Sequence, residues 1–141
     1  MTKVKIIGGI GNQLFQYFFA RSLKLKFNIN VELDLSDFKI YKLHEYNLNN
    51  FLKLKLPICE NRNLFIKFFV KEKKENDPFK FDETIFKQKF SYYDGYWQSY
   101  RYFNKFWYLF KNDFKFDNKY TNIQILNKIK NSNSVAVHVR R

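Results

Sequence analysis

Gly8-Gly9-Ile10-Gly11-Asn12-Gln13 forms a glycine loop that opens directly onto an amphipathic run, and the chemistry it suits is the binding of a phosphate. Glycines admit positive φ and close backbone approach, and the first turn of a helix leaves N–H groups that favour an anion. A second group with chemical potential lies at the other end, in Val137-His138-Val139-Arg140-Arg141. Two adjacent guanidinium groups bind phosphate bidentately and stay charged at any ordinary pH, so Arg140 and Arg141 can neutralise a diphosphate leaving group without a metal. Taken alone, the same pair also reads as a solvated terminus. Asp34 and Asp94 are acids in recognisable settings, the first near the end of an alternating segment and the second in a turn.

These residues need elements to hold them. Lys3 to Ile7 suits a buried strand, and from Asn12 onward Leu14, Phe15, Phe18, Ser22 and Leu25 recur at helical spacing. Asn30 to Leu35 alternates as a second strand with Asp34 near its C-terminal end. Strand, helix and strand make one βαβ unit, which implies an α/β fold with a parallel sheet. Between Asp37 and Lys89 neither period persists. Leu64, Phe65, Phe68 and Phe69 suit one face of a short helix, Asn76-Asp77-Pro78 marks a turn, and no function attaches to this third.

Order returns at Phe90. Ser91-Tyr92-Tyr93 predicts a strand and Asp94-Gly95 a tight turn, after which Ser99 caps a helix with Tyr100, Phe103, Phe106, Trp107 and Phe110 on one core-facing side. A further helix starts near Thr121, with Ile123, Leu126 and Ile129 at helical spacing. Val135 to Val139 then alternates as a strand, which puts Arg140 and Arg141 at a strand's C-terminal end, where open α/β sheets bind ligands.

Composition sets the bounds. At 141 residues the chain is about one domain, and 18 Phe with 10 Tyr supply enough apolar surface to exclude a disordered chain. A net charge of +13 raises nucleic acid as a partner, but the lysines are dispersed from Lys3 to Lys130 and Lys71 to Lys74 is interrupted by Glu72. The expectation is therefore no nucleic acid, with peripheral attraction to an anionic membrane surface as the residual role of the charge. Cys59 is the single cysteine, which excludes an intrachain disulfide and a multi-cysteine metal site. No signal-peptide core and no run long enough to span a membrane is present, so a cytoplasmic protein is expected, with the inner membrane face as its peripheral location.

A dinucleotide-dependent oxidoreductase is one reading of the loop. Gly9 and Gly11 supply the first two glycines of Gly-x-Gly-x-x-Gly, and Asp34 lies about 20 residues on, where a ribose-binding acid would sit. Leu14 occupies the third glycine position, which weakens that fingerprint. Asn12 and Gln13 read either as groups facing a ligand or as caps of the following helix. Tyr96 and Trp97 offer stacking surfaces for a sugar, although a strand, a turn and a cap explain their segment equally.

Three separated segments together carry a resemblance. Gly8-Gly9-Ile10-Gly11-Asn12-Gln13-Leu14-Phe15-Gln16-Tyr17, Tyr93-Asp94-Gly95-Tyr96-Trp97-Gln98-Ser99 with Tyr102-Phe103, and His138-Val139-Arg140-Arg141 resemble the bacterial α-1,2-fucosyltransferases of glycosyltransferase family 11, in the family's order. The resemblance implies a GT-B-like enzyme: an N-terminal Rossmann-like α/β domain over residues 1–133, and the first strand of a donor-binding domain over residues 134–141. It implies inverting, metal-independent transfer of L-fucose from GDP-fucose to a galactoside in surface glycan synthesis. Arg141 and Asn12 would act at the reacting centre. Gly9, Gly11, Asn12, Gln13, His138, Arg140 and Arg141 would bind the donor, the arginines by neutralising its diphosphate and His138 by orienting the strand end.

The family's His-x-Arg-Arg segment continues into Gly-Asp and about as many residues again, whereas this sequence ends at Arg141. The expectation is a truncated fucosyltransferase that is inactive alone. A non-catalytic glycan- or protein-binding module is the alternative.

Overall fold

Thr2, Val4 and Ile6 alternate with Lys3 and Lys5, and the first strand, β1 (Thr2–Lys5), follows that pattern by burying Thr2 and Val4 and leaving the lysines half-covered. The computed structural model describes residues 1–61, 71–78, 80–115, 122–137 and 139. Four further strands join β1 among these residues: β2 (Val31–Asp34), β3 (Ile58–Cys59), β4 (Glu72–Lys74) and β5 (Tyr92–Asp94). The sheet order is β3-β2-β1-β5-β4, so β1 is central. Every pairing is parallel, with Thr2 opposite Val31, Lys3 opposite Tyr92, Leu33 opposite Ile58 and Glu72 opposite Tyr92. This is the α/β architecture that the βαβ pattern predicts.

The connection from β1 to β2 is α1 (Ile10–Phe27), whose buried side runs from Gln13 and Gln16 through Tyr17, Phe18, Phe19 and Ala20 to Ser22 and Leu23. Asn28 ends it in the left-handed conformation, its N–H bonded to the Lys24 carbonyl, and Lys24 and Lys26 complement the dipole of the last turn. Phe19 stacks on Trp97 with centroids 4.4 Å apart, and Phe18 on Phe110 at 5.4 Å. These aromatic contacts join α1 to the chain that follows β5.

A buried polar cluster fixes the same helix from another side. Tyr17 donates its hydroxyl to Asp113 Oδ2 at 3.1 Å, and Arg21 Nε lies 3.2 Å from the same oxygen. Burial pushes the Tyr17 phenol well above its ordinary value, and the Asp113 charge acts in the same direction.

Three expectations need correction. The helix predicted from Ser99 is broken into 3-10 turns over Tyr100–Tyr102 and Asn104–Phe106, and Ser99 makes no side-chain cap bond. Between and after these turns Phe103 (φ −133°) and Phe106 (φ −111°) leave helical geometry. That break lets consecutive residues reach the core: Tyr102 packs 5.3 Å from Phe19, and Phe103 packs 5.5 Å from Phe18. A continuous helix would turn neighbours about 100° apart. The run then continues as a single α-turn (Trp107–Phe110) in which Trp107 is 41% exposed, a rim residue edged against Phe18, not a core one.

The helix near Thr121 forms over Ile123–Lys130, capped by the Asn122 side chain on the Ile125 N–H. Its apolar face is open, with Ile123, Ile125 and Ile129 all more than half exposed and only Leu126 half-buried. The predicted strand over Val135 to Val139 is absent from the described part of that segment. Val135, Val137 and Val139 are exposed there, and no neighbouring strand among the described residues offers a ladder to satisfy their backbone. The helix expected around Leu64 to Phe69 lies outside the described residues.

Candidate functional site

The chain steps from central β1 outward to β2 and β3, crosses to the opposite edge at β4 and steps back to β5 beside β1, so the segments leaving β1 and β5 adjoin although they are far apart in sequence. Open α/β sheets bind their ligands in a crevice beyond the carboxyl ends of the strands. Gly8 to Asn12 carry the chain from β1 into the first turn of α1, and the loop leaving β5 is Gly95 to Gln98. The two motifs that stand far apart in sequence are therefore the two lips of one crevice.

Gly8 carries the conformational demand in the first lip. Its φ is +87°, and a Cβ there would lie 2.7 Å from Asn12 Nδ2 and 3.4 Å from the Tyr96 ring. Gly9 is extended (φ −69°, ψ 169°) and faces the exposed His44 ring, which is 3.7 Å from where its Cβ would be. Gly11 sits in the first helical turn with nothing within 4 Å of a Cβ. It is exposed, and no neighbouring side chain covers its backbone. Of the three glycines, Gly8 shapes the loop, and Gly9 and Gly11 leave it open.

The amides of the motif divide between structure and exposure. Gln13 is fully buried: Nε2 donates to the Gly8 carbonyl at 2.7 Å and the Glu45 carbonyl at 2.8 Å, and Oε1 accepts the Asn47 N–H at 3.0 Å. Three backbone partners leave its amide without a free donor. Gln16 is likewise buried, accepting the Ile7 N–H at 2.9 Å and donating to the Gly95 carbonyl at 3.0 Å, which ties one lip to the other. Asn12 is half-buried and accepts from Gln98 Nε2 across the crevice. No side chain caps α1, so Asn12 and Gln13 are not helix caps.

In the second lip the adjacent aromatics part company. Trp97 is fully buried on Phe19 and holds a positive φ of +54°, so it offers no face to a sugar. Tyr96 is 38% exposed beside Gly8 and is the available ring. Glu75, in the third of the chain without a readable motif, accepts the Tyr96 N–H at 2.6 Å and the Trp97 N–H at 2.9 Å. Burial pushes its carboxyl above the ordinary carboxylate range despite these two bonds, and Asp77 adds to the shift.

The floor of the crevice is charged. Lys5, at the end of β1, lies 2.7 Å from Asp37 and 3.4 Å from Asp94. Burial pulls its ammonium down, but the two carboxylates more than offset this and leave it above its ordinary value. Asp94 is thus an ion-pair partner at a strand end. Above the floor, α1 presents 18 residues of aligned backbone dipole with no acid in its first turn and no side-chain cap. That combination suits an anion.

Asp34 does not serve a ribose. It is buried at 1% exposure, where Oδ1 accepts the Ser36 N–H and Oδ2 the Tyr92 hydroxyl, both at 2.9 Å. The acid required by the dinucleotide reading is therefore occupied inside the fold. His138, Arg140 and Arg141 lie outside the described residues. No cluster of His, Cys, Asp and Glu suited to a metal occurs among the described residues, and no helix among them is long and apolar enough to cross a membrane.

Sequence reading missed Gly8 as the strained position, and it missed Glu75, Gln16 and Gln98 as the groups that bind the lips together. Gln16 and Gln98 stand inside the recognised motifs, and amides set among aromatic residues there were the available signal. Glu75 had none.

Among known proteins, the chain is 29% identical over 159 aligned positions to an alpha-1,2-colitosyltransferase of Escherichia coli, a match that covers 97% of this chain and 53% of that protein. The chain spans about half the length of this curated relative. No protein-family description matches the chain, and no solved structure matches it. The relative is a glycosyltransferase.

Proposed function

We propose that this chain forms the N-terminal part of an inverting α-1,2-glycosyltransferase that moves a deoxyhexose, fucose or its 3-deoxy analogue colitose, from a GDP-sugar to a galactoside of a surface glycan. The observation that carries the reading is the meeting of the Gly8–Asn12 and Tyr96–Gln98 lips over the uncapped start of α1. The colitosyltransferase similarity supplies the reaction class, and the motif resemblance supplies the donor.

In this reading the diphosphate approaches the backbone at Gly9 and Gly11, and Asn12 bonds the donor near its phosphates or sugar. Gln13 shapes the loop from beneath, in place of the direct donor contact that the motif suggests. Arg140 and Arg141 would take up the charge that develops on the diphosphate as the C1–O bond breaks, and His138 would orient them. The acceptor hydroxyl attacks C1 from the opposite face, the electron pair of the broken bond leaves with GDP, and the hydroxyl proton passes to a base. No metal is required, because guanidinium groups and helix N–H groups perform the neutralisation. The donor and acceptor are the partners, and the net positive charge brings the protein to the anionic inner face of a membrane.

Titration of the isotope-labelled chain with GDP, followed by backbone amide shifts, tests the site. Expected are shifts confined to Gly8–Asn12 and Tyr96–Gln98, with NAD giving none. An unmoved glycine loop, or equal response to NAD, refutes the reading. Radiolabel transfer from GDP-fucose and GDP-colitose to lactose tests turnover, for which the expected result with this chain alone is none.

A further inference from the structure

The Tyr96–Gln98 lip has no regular hydrogen-bonded structure of its own. Gly95 follows β5, and Trp97 adopts a positive φ that a bulky residue rarely holds unless its surroundings impose it. Two things impose it here. The indole is buried on Phe19, and the Glu75 carboxylate receives two consecutive backbone N–H groups, from Tyr96 and Trp97.

Glu75 is itself tightly registered. Its N–H donates to the Asp94 carbonyl at 2.9 Å, and its Cβ would be only 2.4 Å from a Cβ built on Gly95, so the loop backbone lies directly against it. From there the chain of contacts reaches the first lip twice, through Tyr96 beside Gly8 and through Gln98 on Asn12.

We propose that Glu75 is a positioning residue of the crevice: by holding the Tyr96 and Trp97 N–H groups it sets the Tyr96–Gln98 lip against Gly8 and Asn12. It touches no substrate and acts through the loop. The meaning of this for donor binding rests on the transferase reading, whereas the coupling itself belongs to the unliganded chain.

The groups that face Glu75 are few. Asp77 repels its charge, Tyr102 is the nearby phenol that feels that charge, and the Asp94 carboxylate is paired with Lys5. On its own strand side, Lys73 is engaged by Asp82 and Lys74 by Glu72. Asp77→Asn removes the carboxylate whose charge acts on Glu75, so the Glu75 step can be read with and without it.

The test is a pH series of amide spectra on the 141-residue chain. The Tyr96 and Trp97 backbone amides, the Asn12 side-chain amide and the Gly8 amide are expected to move together with one midpoint above the ordinary carboxylate value. In Glu75→Gln that shared step disappears, while the dispersed resonances of α1 persist. In Gln98→Ala the Tyr96 and Trp97 amides still titrate, and Asn12 is released from the step. Silence of Asn12 and Gly8 in the wild type, or survival of their step in Glu75→Gln, overturns the proposal; should Glu75→Gln fail to fold, an Asn12 step unchanged in Gln98→Ala overturns it equally. Where GDP binds the wild type, Glu75→Gln weakens it by about tenfold or more, the scale on which small misplacements act. A wild type that shows the coupled step but ignores GDP defeats the donor reading and leaves the positioning role in place.

Discussion

Gly8→Ala and Gly11→Ala change the same atom count in the same motif, and the structure gives them opposite signs. At Gly8 the new methyl enters a φ of +87°, 2.7 Å from Asn12 Nδ2 and 3.3 Å from Asn12 Cβ, with the Tyr96 ring behind it. Left-handed backbone at a non-glycine residue costs about 1–2 kcal/mol. Asn12 must also turn away, and the loss of its bond from Gln98 adds about 1 kcal/mol. The expected destabilisation is therefore about 2–3 kcal/mol. Gly11 lies inside the helix with open space around its Cα, so alanine there gains up to about 1 kcal/mol of helix propensity. Urea unfolding followed by tryptophan fluorescence reads the difference, because Trp97 is buried against Phe19. Equal midpoints for the two variants would refute the division of labour among the glycines. The Gly11 methyl also occupies the face where a diphosphate would approach, so Gly11→Ala is expected to fold well and yet lose GDP-induced shifts.

Other perturbations separate the buried frame from the crevice. Trp97→Ala should lose about 3–5 kcal/mol by leaving a large cavity, whereas Tyr96→Ala should leave unfolding nearly unchanged and weaken ligand binding, as chemical denaturation and GDP titration would show. Asp113→Ala strands Arg21 beside Tyr17, and a loss of about 3 kcal/mol in urea unfolding is expected for a pair this covered. The carboxyl of Glu75 sits above its ordinary value, so between the two values the folded chain holds a proton that the unfolded chain has released. Stability should accordingly decline as pH rises through that window, and Glu75→Gln should flatten the decline in unfolding midpoints measured across it.

Much of the fold was legible because the strands flanking α1 are apolar at alternate positions, with Val4 and Leu33 buried. The helix between them was legible as a helix but not by its face. Of the expected Leu14, Phe15, Phe18, Ser22 and Leu25 only Phe18 and Ser22 are buried, and Leu25 is exposed. Tyr17 to Ala20 are buried in succession because the sheet and the aromatic segment after β5 cover two sides of the helix. The middle third was opaque for a physical reason: β3 and β4 are edge strands of two and three residues, too short to show any period. After Ser99 the aromatic spacing mimicked a helix, and packing of Tyr102 and Phe103 against α1 overrode it. In the glycine motif, composition alone did not separate Gln13, buried under three backbone bonds, from Asn12 at the rim.

The sequence by itself determined the α/β class, the βαβ start and the identity of the two loops, because these depend on local periodicity and on residues that recur in fixed company. Only the tertiary structure decided that the loops face each other, that Asp34 is buried and that Trp97 turns inward while Tyr96 turns out. Those outcomes depend on strand order and on partners distant in the chain, above all the Glu75 carboxylate, which holds the second loop from a segment with no motif of its own.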